Sequence, residues 1–530
     1  MSEVAVQLFR LFWVSLFAML AFISWTILAF AWRHRRPHVP KNRAFAWLQS
    51  RALEKITRSS LLVLYFNLLL SLFWVGFTIF AGGFYLHVKH RALAEKPLPA
   101  ATFYEAGRTA QKEGNDREAM TDFSTAIEIY SNYPEAYTSR SEAEFRLHDY
   151  QRSITDASQA IILDPYYPAA YTSRGFSEFH LTNYPVSIDD FTKSLKLDSH
   201  NALVYNQRGL AEIALTNLSA AKVDFTRAIS LDPGTAVFYV NRGTLEKGTA
   251  DYAAALLDFN RAILVAPRDA EAYSQRALTE LLITNNDAAL ADSVRVIQIT
   301  PDEWAGYNER GLAEMGEKNY QLALADFDKS IGLSPETAVA YFNRGIVQSR
   351  LKKTTDAIAD LQKAIALNPG NPSPYVILGL VENRLFQFEP ALENFQKALE
   401  LDPRQDFSRL NIWLIRSRLD DRAGATQDLQ QYLNSIPHKK INLYQGVELY
   451  LVGSLSDQDF QKWAAARDPE TQKSRLGQVN YYLGMKHLID GDKLGAMDFF
   501  QQCIASSEMG SVEYDNAQSE LGALKKDFPP

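Results

Sequence analysis

One cysteine, Cys503, occurs in 530 residues, so no intramolecular disulfide can form and packing must hold the fold. The nine histidines are scattered, and apart from the pair His87 and His90, flanked by Lys89 and Arg91, none keeps company with cysteine or carboxylate at metal-ligand spacing. The chain has no Gly-x-x-x-x-Gly-Lys-Ser loop, no Gly-x-Gly-x-x-Gly after a strand and no Gly-x-Ser-x-Gly elbow. With no nucleophile, base or metal set converging, the sequence predicts a protein that is not an enzyme and takes no cofactor. Cys503, among helix-forming neighbours, reads as a small packing residue.

What the chain does have is a period. Tyr137, Tyr171, Tyr205, Tyr239, Tyr273, Tyr307, Tyr341 and Tyr375 stand 34 residues apart. Three residues after each of the first seven comes an arginine: Arg140, Arg174, Arg208, Arg242, Arg276, Arg310 and Arg344. Pro165, Pro233, Pro267, Pro301, Pro335, Pro369 and Pro403 close most units. Within residues 202–235, apolar positions recur at helical spacing in two stretches, Tyr205, Gly209 and Ile213, then Ala221, Phe225, Ala228 and Ile229. Each unit is therefore expected to be a pair of antiparallel helices. Gly175, Gly209, Gly243, Gly311, Gly345 and Gly379 mark the crossing where the second helix packs closely, and the proline ends it.

The aromatic, the glycine four positions on, the Ala-x-x-x-Phe pair and the terminal proline resemble the tetratricopeptide repeat over residues 100–403, about nine repeats. Residues 406–437 read as a degenerate tenth. The segments Phe407-Ser408-Arg409-Leu410, Val447 to Gly453, Tyr481-Tyr482-Leu483-Gly484 and Phe499-Phe500 are similar in order and spacing to the C-terminal part of NlpI-like bacterial lipoproteins, which are envelope adaptors. This second resemblance implies a bacterial source, an adaptor role and a helical cap with a repeat-like hairpin over 438–530. The chain departs from that family in having no N-terminal cysteine to lipidate and many more repeats.

Charge divides the chain. Residues 1–98 hold 12 Lys and Arg against 3 Asp and Glu, and the remainder 43 against 59. Two uncharged apolar runs, 11–32 and 60–86, are each long enough to cross a bilayer as a helix. The loop between them, 33–59, carries eight cations and Glu54 alone, so the positive-inside rule puts it in the cytoplasm. The expected architecture is all-α: a two-pass anchor over residues 1–98, in a bacterial inner membrane, carrying a superhelical solenoid into the periplasm.

Each arginine of the column is followed four residues later by Glu144, Glu178, Glu212, Glu246, Glu280, Glu314 or Gln348, and preceded by 18 residues by an aspartate such as Asp156, Asp190 or Asp224. Pairing to both sets predicts a structural ladder rather than a polyanion site, and with the acidic array it excludes nucleic acid as a partner. Binding is expected on the concave wall of the first helices, which the repeat resemblance assigns to Thr138, Glu142, Thr172, Asn206, Gln207, Asn241, Asn308 and Asn343. Their amides and hydroxyls would hold the backbone of an extended peptide, with Phe176 and Phe342 offering side-chain pockets. The function read from these features is a non-catalytic membrane scaffold for envelope proteins. The alternative is an integral subunit of a larger inner-membrane complex for secretion, polymer export or respiration.

Overall fold

The computed structural model describes residues 96–436, 442–465, 469–507, 509 and 511–527. The expected spans and their loop lie outside the described residues, within which no helix is long and apolar enough to cross a membrane. The described residues form 25 α-helices and no strand.

Ten hairpins follow the register of the tyrosines. Their first helices are α1 (Leu98–Lys112), α3 (Pro134–Arg146), α5 (Pro168–His180), α7 (Ala202–Ala214), α9 (Ala236–Gly248), α11 (Ala270–Leu282), α13 (Trp304–Gly316), α15 (Ala338–Arg350), α17 (Pro372–Arg384) and α19 (Asp406–Arg418). The second helices are α2 (Asp116–Ile129), α4 (Tyr150–Leu163), α6 (Tyr184–Leu197), α8 (Leu218–Leu231), α10 (Tyr252–Val265), α12 (Asn286–Ile299), α14 (Tyr320–Leu333), α16 (Thr354–Leu367), α18 (Phe388–Leu401) and α20 (Arg422–Ser435). Five helices close the chain: α21 (Leu443–Leu451), α22 (Asp457–Ala464), α23 (Pro469–Ile489), α24 (Lys493–Ser506) and α25 (Val512–Asp527).

Crossing distance explains the glycine column. A β-carbon on Gly175, Gly209, Gly243 or Gly311 would stand 2.7–2.8 Å from the ring of Phe191, Phe225, Phe259 or Phe327, and each of those rings is fully buried. Gly484 meets Phe500 in the same way at 2.7 Å, so α23 and α24 repeat the packing of the array. Where the first member is larger the second shrinks: Ser141 faces Ala157, Ala277 faces Ser293, and Trp413 faces Leu429 in the tenth hairpin.

The arginine ladder is present, but with other partners than expected. Nε and Nη2 of each arginine fork onto the aspartate 16 residues later in the same hairpin, from Arg140 on Asp156 at 2.6 and 2.8 Å to Arg344 on Asp360 at 2.7 and 2.8 Å. Asp156 thus belongs to Arg140, not to Arg174 as the 18-residue spacing suggested, because antiparallel helices of one hairpin bring the two groups face to face. In six of the seven the remaining Nη1 reaches back to the preceding second helix, as in Arg208 to Thr192 at 3.0 Å and Arg344 to Asp328 at 2.7 Å; for Arg310 the residue at that place is Val294 instead. One guanidinium therefore ties two second helices together.

The glutamates four residues on do not pair with the arginines either. Glu178, Glu212, Glu280 and Glu314 accept from the side-chain amides of Asn183, Asn217, Asn285 and Asn319 at 2.7–2.8 Å. Two hairpins carry aspartate at that place. Lys222 compensates Glu246 at 3.1 Å, while Glu144 keeps a buried oxygen without a partner. Burial first, then the neighbouring Asp156 and Asp149, push the Glu144 carboxyl up to about 8. Asp149→Asn supplies the missing donor and removes a like charge. It is expected to stabilise the chain by about 1 kcal/mol above neutral pH, with the gain fading in acid where Glu144 is already protonated. Melting temperatures across that pH range check this, and an unchanged melting point at alkaline pH would refute it.

Candidate functional site

Successive first helices touch one another along most of the array, whereas no two successive second helices come as close. The first helices therefore form the short, inner wall of a curved solenoid, and residues 34 apart align along it. The structure separates the residues expected there into two groups. Asn206, Asn308 and Asn343 are buried in the seams between first helices, where Asn241 Nδ2 donates to Asn206 Oδ1 at 2.8 Å and Asn343 Nδ2 to Asn308 Oδ1 at 2.9 Å. Thr138 is also buried, its hydroxyl donating to the Pro134 carbonyl at 2.9 Å, and the half-buried Thr172 donates likewise to Pro168 at 3.2 Å.

Glu142, Phe176, Gln207, Asn241 and Phe342 are half-buried. Phe176 packs edge-on against Phe145 and Phe191 at 5.9 and 5.5 Å, and Phe342 packs on Leu361, Leu378 and Val381. Both rings thus fill gaps between hairpins rather than standing clear of the wall. Burial raises the Glu142 carboxyl despite Arg146, Gln111 and Arg108 nearby.

A polar cluster that sequence reasoning missed crosses α9, α11 and α13. Lys247 donates to the Gln275 side chain, Gln275 Nε2 donates to Glu271 at 2.7 Å, and the Ser274 hydroxyl donates to Glu309. Glu309 is 3% exposed with one oxygen unpartnered, and burial foremost pushes its carboxyl up to about 7. A carboxyl raised on folding binds its proton more tightly in the folded state. Its contribution is favourable in acid and declines as pH rises from the ordinary 4.5 to about 7. Glu309→Gln keeps a group able to accept from Ser274 and removes that slope. The variant should melt higher than the parent at about pH 8 and close to it at about pH 5; equal melting at both would refute the assignment.

The end of the wall is already covered. Arg350, Arg384 and Arg418 recur at the repeat period on α15, α17 and α19, and they hold the last helix. Arg350 and Arg384 reach Asp515 of α25 at 3.1 and 3.4 Å, and Arg418 reaches the buried Glu520 at 2.7 Å. Val512 packs on the cluster of Leu380, Ile415 and neighbouring apolar side chains, and Ala517, Leu521 and Leu524 close a core with Trp413, Leu414 and Tyr482. This second arginine column could have been found from its 34-residue spacing, but its acidic partners lie 131 and 165 residues away. Cys503 is buried, and burial pushes its thiol up to about 11. Among the described residues no three ligand-type side chains gather to hold a metal.

Residues 202–235, 338–371 and 372–405 match tetratricopeptide-repeat family profiles. The array is built of tetratricopeptide repeats. Solved structures similar to the chain include a tetratricopeptide repeat protein from Parabacteroides merdae, 18% identical, spanning 47% of this chain and 98% of its own with a TM-score of 0.42. Another is a thermophilic tetratricopeptide repeat protein from Thermus thermophilus, 25% identical over 34% of this chain and 97% of its own, TM-score 0.31. YrrB, a tetratricopeptide repeat protein described as having an unusual peptide-binding site, is 21% identical over 35% of this chain and 95% of its own, TM-score 0.31. No curated protein matches the chain. Tetratricopeptide repeats are generally non-catalytic binding scaffolds, and the profiles indicate no enzyme family.

Proposed function

We propose that the chain is a membrane-anchored adaptor of the bacterial envelope, holding partner proteins on the open part of its inner wall. The observation that carries this reading is the division of the wall. Its last three hairpins are sealed by a helix of the same chain, whereas α3 to α13 present half-buried groups such as Glu142 and Gln207 with no such cover among the described residues. The apolar runs 11–32 and 60–86 support an inner-membrane anchor, and the eight cations between them support a periplasmic array. Anchoring would confine a bound partner to a thin shell at the membrane and raise its effective concentration.

Affinity capture of the full chain from its own envelope, compared with a Gln207→Arg variant, tests the adaptor reading. Partners should be lost from the variant while its melting curve is kept; a partner set independent of the wall would favour the second reading, in which the two spans are interfaces within a larger complex. A periplasmic reporter fused after Pro530 should be active, and activity of a cytoplasmic reporter instead would overturn the orientation.

A further inference from the structure

The seam hydrogen bonds change what the wall can hold. An extended guest must find partners for its backbone groups, yet Asn206, Asn241, Asn308 and Asn343 bond to one another across successive repeats. A helix needs no such partners because its backbone bonds internally. The chain itself shows the fit. Leu278, Leu312, Ile346, Leu380 and Leu414 form one column at 34-residue intervals. Ile346 and Leu380 line the cleft against Val512 and Asp515 of α25, and Leu414 lies in the core that α25 closes. The first two members continue the same surface with no cover among the described residues: Leu278 and Leu312 are half-buried, and the adjoining Leu282 is 55% exposed.

We propose that this open stretch, from α9 to α13, docks one amphipathic α-helix of a partner protein, its apolar face on Leu278, Leu282 and Leu312 and a carboxylate on its flank paired with Lys247. The proposal rests on the reading of the open wall as a protein-binding face. Its charge pattern differs from that of the covered end. The places of Arg350, Arg384 and Arg418 are taken upstream by Ala214, Gly248, Leu282 and Gly316, so an acidic pair like Asp515 and Glu520 has nothing to meet there. Lys247 is the cation that remains, half-buried and bonded to the neutral Gln275 amide, with no salt bridge to a carboxylate among the described residues. Glu271 and Glu309 attract the Lys247 ammonium without pairing with it directly, and a guest carboxylate would supply the direct ion pair to this partly desolvated group.

Full-length chain in nanodiscs, with empty nanodiscs as the blank, can be titrated with a stapled alanine-leucine helix of about 18 residues bearing one flank glutamate. A second probe of the same composition carries two central prolines and cannot form the helix. The stapled probe should bind at least about tenfold more tightly than the proline probe. Leu282→Asp, at an exposed position, should weaken it by about tenfold or more, and Lys247→Glu likewise, with the latter rescued by a lysine at the probe's glutamate position. Equal binding of both probes, no binding of either, or a charge swap without rescue would overturn the helical docking. If envelope partners are still captured in a wall-dependent manner, the adaptor reading stands and only the helical form of the guest falls. Loss of that dependence as well would remove both.

Discussion

Phe259→Ala is expected to destabilise the array by about 3–5 kcal/mol, the cost of removing a fully buried ring and leaving the surrounding helices only partly able to collapse. The ring is pressed against Gly243, where an added β-carbon would lie 2.8 Å from its Cε1. Because each hairpin touches mainly its neighbours, the loss falls on the middle of the solenoid and uncouples the two halves. The chain supplies its own compensation: Trp413 over Leu429 fills the same crossing with the large residue on the first helix. Gly243→Trp alone should be as damaging as Phe259→Ala, since ring meets ring, whereas Gly243→Trp with Phe259→Leu should recover much of the loss. Denaturant unfolding of the parent, Gly243→Trp, Phe259→Leu and the double variant gives the coupling directly. A double variant no more stable than either single one would show that the crossing is not a volume-conserving pair.

Arg384→Glu should release α25 from the wall. Arg384 and Asp515 are each about a quarter exposed in their side chains, at 23% and 24%. The change removes an attraction and faces Asp515 with a like charge, at a cost of about 2–4 kcal/mol to the docked helix after allowance for solvent screening. The readout is local: protease cleavage near residues 507–511 and faster amide exchange in α25, with the first seven hairpins unchanged. Because Arg350 also grips Asp515, Asp515→Arg should restore much of the protection only when Arg350→Glu accompanies Arg384→Glu. Cleavage unchanged in the single variant would mean that the apolar contacts of Val512, Ala517 and Leu521 hold the helix without the ions.

Residues that recur show how much of this was legible in one dimension. The hairpins, their crossing glycines and the buried phenylalanines followed from the period, because a stacked unit that repeats must reuse the same packing positions. The turn between helices did not. His148, Thr182, Thr216, Ala250, Thr284, Lys318, Lys352, Phe386 and Asp420 all adopt φ of 59–63°, a left-handed conformation that only Gly114 and Gly491 announce in the corresponding turns. The threonines carry no such signal; the hydrogen bond from Asn217 N–H to the Glu212 carbonyl at 2.9 Å and the docking of the following helix impose it.

The candidate wall was read in part for a related reason. Counting along the chain put Asn206 and Asn343 on the first helices but could not say that side chains one position apart in successive repeats would find each other across the seam. It also left the arginine column with two equally spaced sets of acids, and the antiparallel hairpin chose a third spacing.

Composition and period were enough to set the repeat, the helical hairpin, its close crossing and the basic, apolar character of residues 1–98, since any stacked arrangement preserves them. Tertiary structure alone decided which carboxylate each arginine grips, which polar groups are spent in the seams, and that the last helix lies on the inner wall. Those outcomes join residues far apart in the chain, where distance is set by curvature and packing rather than by spacing.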